Sequence, residues 1–104
     1  MLRRHKVIML CGNPEFIYDF IKEQRKLTRA GNVVIGTASH DRTYKNLSMS
    51  EKVLLDLVVK QQIEMADEIL VINHDDKIDQ NTKNNIQYAV ACGKPIKYME
   101  THHA

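Results

Sequence analysis

Amide and hydroxyl side chains crowd one segment in the last quarter of the chain. Asn81, Thr82, Asn84 and Asn85 follow soon after residues 73–76, which read NHDD. We predict that these amides open a helix, in which positions 82, 85 and 89 share one side because of their i, i+3, i+7 spacing. A side chain at position 85 then lies one turn inside the helix, near the positive end of its dipole. A carboxylate there would be held ionised and aimed, but this sequence has an amide.

The familiar catalytic and metal-binding patterns do not occur in the sequence. There is no HExxH, CxxC or GxSxG, and the turn CGNPEF lacks the glycines of a dinucleotide- or phosphate-binding loop. Cys11 and Cys92 are too few for a disulfide framework or a metal cluster, so we predict two buried free thiols in a reducing compartment. We expect no metal and no cofactor, and we expect His102 and His103 to form a frayed tail.

Length and charge narrow the class of protein. A chain of 104 residues suits a single domain, 1–104, and its 43% hydrophobic and 27% charged residues are typical of a globular one. A net charge of +2 makes nucleic acid an unlikely partner, and the basic stripe on the first predicted helix is interpreted as a solvated face. The apolar run VIMLC is too short for a signal peptide or a membrane span, so a cytoplasmic location without membrane contact is expected.

Short apolar runs alternate with amphipathic segments along the chain. The runs KVIML, NVVIGT, EILVIN and IKYM are typical of strands, the first three buried. Asn13 and Gly31 suit the start and end of a first helix, and Ser48 with Glu51 suits a capping box at the start of a second. This order predicts an α/β fold with a flavodoxin-like or Rossmann-like parallel sheet of about four strands, order 2-1-3-4, and helices on both faces.

The second predicted helix carries more apolar side chains than one stripe can hold. Leu54, Leu55, Val58 and Met65 share one face, whereas Val53 and Ile63 lie outside it. We therefore expect a partner subunit to cover the excess, in a homodimer or higher homo-oligomer. The third helix is expected to turn Ile86, Ala89 and Val90 inward.

Parallel sheets of this order bind ligands beyond the carboxyl ends of their strands, here between strands one and three. Two helix N-termini also point their free N–H groups at this cleft, which suits an anion. Several candidates keep a plain alternative: Asn13 as a helix cap, His40 as a solvated residue of the long polar loop 38–48, and Asp75 and Asp76 as turn residues. The candidate residues are Gly12, Asn13, Thr37, His40, Asn73, Asp75, Asp76, Thr82 and Asn85.

The chain from Lys6 to Glu100 resembles the nucleoside 2-deoxyribosyltransferase-like superfamily, and in particular its small single-domain members. The stretches that carry the resemblance are LCG after the first strand, LTRAGNVVIG, QQIEMADEILVIN and NTKNNIQYAVACGKPIKYME. The resemblance implies chemistry at the N-glycosidic bond of a deoxynucleoside or its monophosphate. In the family a glutamate attacks the anomeric carbon, the base leaves, and another base or water resolves the glycosyl-enzyme. Subunits of the family commonly complete each other's pockets.

The sequence departs from the family pattern at the positions that matter for catalysis. The nucleophilic glutamate matches Asn85, which has no ionisable oxygen. Val59 and Lys60 occupy the region of the assisting acid, and Asn13 begins a turn where small relatives often carry a Ser-Thr-Arg run. The resemblance thus leaves three hypotheses: a transferase or hydrolase with Asp75 or Asp76 as substitute nucleophile, a catalytically degenerate nucleotide-binding module, and an interaction domain with a vestigial cleft.

Overall fold

Strands and helices alternate along the chain in the predicted order. A computed structural model describes residues 4–36, 47–74 and 77–100. The third helix begins one residue after Asp79, and a short 3-10 turn precedes the first helix. The elements are β1 (Val7–Gly12), the 3-10 turn (Pro14–Phe16), α1 (Ile17–Arg29), β2 (Val33–Ile35), α2 (Met49–Met65), β3 (Glu68–Ile72), α3 (Gln80–Ala91) and β4 (Ile96–Tyr98).

The four strands form one parallel sheet in the order β2-β1-β3-β4, which confirms the predicted α/β fold and strand order. In the central pair, Met9 lies opposite Ile69 and Gly12 opposite Ile72. Because all strands run the same way, their carboxyl ends meet at one edge of the sheet, which we call the carboxyl edge. The 3-10 turn directly follows β1 at this edge, and Asp79 at the start of α3 lies near Cys11 of β1.

Local capping defines where the helices begin and end. Ser48 and Glu51 form the predicted capping box at the start of α2, each bonding the other's backbone N–H. Asp79 caps α3 by accepting a hydrogen bond from the backbone of the third residue after it. Gly31 and Gly93 follow the ends of α1 and α3 at φ 94° and 74°, a left-handed conformation that glycine adopts at low cost.

Each face of the sheet has its own apolar core. Helix α1 covers one face, and α2 with α3 covers the other, so helices lie on both faces as predicted. Phe20 is the fully buried residue of α1, and Ile63 and Ala89 are those that α2 and α3 turn to the opposite face. The buried core residues are Ile8, Leu10, Phe20 and Ile72 on the α1 side, and Met9, Cys11, Ile63, Ala66, Ile69, Val71 and Ala89 on the other.

The predicted face of α2 is wrong. Ile63, placed outside that face, is 1% exposed and packs in the core, while Leu54 and Met65 are 63% and 60% exposed. The physical reason is that apolar residues occur all round this helix, so its periodicity does not choose a side. Tertiary packing decides which side of α2 is buried, and it places Ile63, with the partly buried Val59, against the α3 side of the sheet.

Three smaller predictions also need correction. Val90 of α3 is exposed rather than inward-facing, and Cys92 is exposed rather than buried. Val33 is likewise exposed, because β2 is an edge strand and is covered less fully than the central pair. None of the helices within the described ranges is long and apolar enough to cross a membrane.

Candidate functional site

The candidate cleft begins at the floor formed by the ends of β1 and β3. Gly12 is the last residue of β1, and an added Cβ would come within 2.5 Å of the carbonyl oxygen of Ile72 on β3. No side chain fits at Gly12 without moving one of the strand backbones. Gly12 therefore allows the ends of β1 and β3 to approach closely, and its predicted contact with a ligand stays a prediction.

Asn85 of α3 lies over the end of β1, where its side chain hydrogen-bonds the thiol of Cys11. Asn85 is half-buried, and Cys11 is 3% exposed. Burial raises the pKa of Cys11 from 9.0 to about 11, the Asn85 hydrogen bond lowers it, and the nearby Asp79 carboxylate raises it. A thiol with this pKa is neutral at physiological pH and is not a nucleophile. Asn85 is thus a fixed amide at the edge of the sheet.

The first turn of α3 adds two further groups. Thr82 is buried, and its backbone N–H donates to Oδ1 of Asp79 over 3.0 Å. Asp79 therefore has the capping role expected of a residue before a helix, and it is also a carboxylate close enough to influence Cys11. Thr82, Asn85 and Ala89 share the inner side of α3, as their spacing predicts.

Asn73 and Asn13 both make hydrogen bonds within the protein. The buried Asn73 directly follows β3; its Nδ2 donates to the carbonyl of Glu100, and its Oδ1 accepts from the Glu100 N–H, each over 3.0 Å. Asn13 accepts from the backbone N–H of Glu15 over 3.0 Å and caps the 3-10 turn. The amide of Asn73 therefore ties the end of β3 to the segment after β4. Asn13 caps the 3-10 turn rather than the first helix, which begins later, after Phe16 and without a side-chain cap.

Sequence reasoning missed a charged cluster at the same edge. His74 Nε2 lies 2.5 Å from Oδ2 of Asp19 in the first turn of α1, and its Nδ1 lies 3.0 Å from Oε2 of Glu100. Phe16 meets the imidazole edge-on, with ring centroids 4.8 Å apart. These residues are far apart in the sequence, so no spacing pattern points to them; only the placement of His74 at a strand end was available as a signal.

The remaining candidates, Thr37, His40, Asp75 and Asp76, lie outside the described residues. Within the described ranges, no group of three or more His, Cys, Asp or Glu side chains is arranged to hold a metal ion. The part of the site that the structure describes therefore consists of the glycine floor, the Cys11–Asn85 contact, the first turn of α3 and the His74 cluster. These groups supply hydrogen bonds and charge.

The fold and this edge define the class of protein: an α/β protein with a parallel 2-1-3-4 sheet and polar side chains at the carboxyl ends of its central strands. Comparison of the sequence with models of known families, and with curated proteins, finds no match.

Proposed function

We propose that this chain binds a deoxynucleoside or its monophosphate in the cleft, as a nucleotide-binding module of the deoxyribosyltransferase-like type that has lost the usual covalent step. The observation that carries the proposal is the position of Asn85, which aims an amide at the end of β1 and contacts Cys11. The resemblance of the chain to that superfamily supplies the class of ligand. Asn85 occupies the position of the family's nucleophilic glutamate.

An amide at this place suits recognition better than reaction. Asn offers two N–H donors and a carbonyl acceptor, which match the mixed donors and acceptors of a base edge or a sugar hydroxyl. Its oxygen is not ionised and forms no glycosyl ester at a useful rate. The Asp79 carboxylate already caps the positive end of the α3 dipole, so the preference for a 5′-phosphate comes from the resemblance alone.

A second candidate function is the N-glycosidic transfer or hydrolysis that the family performs. The observation in its favour is that Asp79 brings a carboxylate to the same first turn of α3, near the thiol of Cys11. A carboxylate in this position would attack the anomeric carbon, expel the base, and release the sugar to another base or to water. Asp75 and Asp76, proposed from the sequence as substitute nucleophiles, remain candidates for the same role.

We also propose that the chain forms a homodimer through α2. One side of this helix, about 25 Å long, exposes large apolar side chains along its whole length. A second copy related by a two-fold axis would place the same side of its α2 against this one, so each helix would cover the other's exposed apolar surface. The exposed apolar residues of α2 are Met49, Val53, Leu54, Leu57, Val58 and Met65.

Light scattering across a concentration series tests the homodimer. We expect a dimer for the wild-type chain and a monomer for Leu57→Glu, because the charge would be buried in the interface. Tyr18→Glu is the matched control, since Tyr18 is exposed on α1, away from this surface. A wild-type chain that stays monomeric at every concentration contradicts the dimer.

The ligand proposal is tested with a panel of deoxynucleosides and their 5′-monophosphates. Titration calorimetry measures binding to the wild-type chain, and chromatography measures release of free base with and without an acceptor base. Asn85→Glu restores the family carboxylate. Asn84→Glu is its matched control, because it adds the same charge to α3 at an exposed position, where Asn84 accepts a hydrogen bond from its helical neighbour Gln80.

Binding by the wild type with base release only in Asn85→Glu supports the binding module. Base release by the wild type that disappears in Asp79→Asn supports the second candidate, since Asn keeps the helix cap but loses the carboxylate. If no member of the panel binds the wild-type chain or Asn85→Glu, both functions are refuted, and the result supports the hypothesis of an interaction domain with a vestigial cleft.

A further inference from the structure

His74 joins three separate parts of the chain at the carboxyl edge. It lies just after β3, and its two ring nitrogens meet Asp19 of α1 and Glu100, two residues beyond β4. The distances are 2.5 Å to Asp19 and 3.0 Å to Glu100. All three side chains are partly exposed, so protons from solvent reach them. We call His74, Asp19 and Glu100 the histidine clasp.

The protonation state of the His74 ring decides whether it donates a hydrogen bond to one carboxylate of the clasp or to both. An imidazolium donates a hydrogen bond from both nitrogens, whereas a neutral imidazole donates from one and presents a lone pair at the other. A carboxylate facing that lone pair loses its hydrogen bond and is repelled. Because the contact with Asp19 is the shorter one, the neutral ring keeps its proton toward Asp19 and loses Glu100.

The charged groups that face His74 in the described parts of the chain are carboxylates, and both favour the imidazolium. Asp19 comes from α1 and Glu100 from the segment after β4, while the 3-10 turn contributes the uncharged ring of Phe16. On the other side, the backbone N–H of Lys77 donates to the His74 carbonyl over 3.0 Å and leaves the ring untouched. Residues 75 and 76, both Asp, follow His74 in the chain and lie outside the described residues.

We propose that the histidine clasp is a pH-operated latch, in which the imidazolium fastens α1 and the segment after β4 to the end of β3, and loss of its proton breaks the hydrogen bond between the ring and the Glu100 carboxylate. Hydrogen bonds from Asp19 and then Glu100 raise the pKa of His74 above its ordinary 6.5, so the latch is closed in acid and opens on the alkaline side of that value. Every group in the latch belongs to this chain, so the inference is independent of the proposed ligand.

The movement on opening has a defined extent. The backbone of Glu100 stays bound to Asn73 through both its N–H and its carbonyl, and the N–H of Met99 stays bound to Val71 over 2.8 Å. The change therefore reaches the Glu100 side chain, and it leaves both the contact of α1 with the edge and the pairing of β4 in place. Asn73 is the residue that the latch shares with the candidate cleft.

Nuclear magnetic resonance tests the latch on the full chain. A pH titration with ¹⁵N-labelled protein follows the ring nitrogens of His74 and the backbone amide of Glu100 together. We expect one shared midpoint above 6.5 for both signals. Glu100→Gln and Asp19→Asn should each lower the ring midpoint, with the larger drop for Asp19→Asn because its hydrogen bond is the larger contribution.

The variant His74→Gln separates the latch from general effects of pH. In this variant the Glu100 amide signal should lose its dependence on pH over the range where His74 titrates. If His74→Gln fails to fold, the Glu100→Gln variant tests the latch instead, through the midpoint of the His74 ring signal alone. A ring midpoint unchanged by both carboxylate variants, or a Glu100 signal that ignores the midpoint of His74 in the wild type, overturns the proposal.

Discussion

The two thiols of the chain should differ greatly in reactivity. The reaction rate of the slower thiol, Cys11, depends on the contacts at the candidate cleft. Cys92 is exposed at the end of α3, whereas Cys11 is buried at the end of β1 beneath Asn85. We predict that a thiol reagent such as Ellman's reagent modifies Cys92 rapidly and Cys11 slowly. The Cys92→Ser variant should retain only the slow reaction.

The raised pKa of Cys11 slows that thiol relative to the rate it would have at its ordinary pKa. At about pH 8, about one thiol in ten is ionised when the pKa is 9.0, and about one in a thousand when it is 11. Ionisation alone therefore slows Cys11 by roughly a hundredfold, and the low exposure of its side chain slows it further. Asn85→Leu removes the hydrogen bond that lowers this pKa while keeping a side chain of similar size over the thiol. The slow reaction should become slower still.

The assay is stopped-flow absorbance in native buffer, followed by addition of denaturant to count all thiols. We expect one thiol per chain in the fast phase and a second only after unfolding or prolonged incubation. Two thiols that react at the same rate would contradict the burial of Cys11. A faster slow phase in Asn85→Leu would show that the amide does not stabilise the Cys11 thiolate. A nucleotide that occupies the cleft should also protect Cys11, which makes the same assay a test for ligands.

Three further predictions concern stability. Ile63→Ala should lower the free energy of unfolding in urea by about 2–5 kcal/mol because it leaves a cavity in the core, whereas Leu54→Ala, measured at a concentration where the chain is monomeric, should change it by less than about 0.5 kcal/mol. Equal losses would reject the assignment of the buried face of α2. Gly12→Ala should lower the free energy of unfolding by about 1–3 kcal/mol, because its Cβ meets the carbonyl oxygen of Ile72. An unfolding midpoint equal to that of the wild type would show that the strand backbones move apart easily to accept the Cβ. The stabilisation that His74 gives the folded state should be complete below pH 6.5 and decline as the pH rises through its raised folded-state pKa. The His74→Gln variant should show no such decline. A wild-type free energy of unfolding that rises with pH over this range would contradict the prediction.

Much of the fold could be predicted because its signals are local. The Ser48–Glu51 capping box and the cap at Asp79 act over three residues, so each is legible in a short stretch of sequence. The strand order follows from alternating elements and right-handed crossovers, which leave few arrangements. The inner side of α3 was predictable for a similar reason, since spacing alone places Thr82, Asn85 and Ala89 together.

Parts of the candidate site could not be predicted because their contacts join distant residues. The hydrogen bond between Cys11 and Asn85 depends on how α3 lies across the end of β1. Asn73 was chosen from the sequence as a ligand-facing amide, but its side chain bonds the backbone of Glu100. No property of residue 73 indicates this partner, because the pairing arises only when β3 and β4 lie side by side.

The sequence by itself determined the class of fold, the order of the strands and the capping box at Ser48, since apolar periodicity and capping residues act within a few positions. It also placed an amide, rather than a carboxylate, at position 85 of the third helix. Only the tertiary structure decided that α2 buries Ile63 and that His74 meets both Asp19 and Glu100. The physical reason is that apolar residues occur all round α2 among its charged ones, so spacing does not choose the buried side. His74 meets its two carboxylates only after the helix and strands have packed at one edge of the sheet.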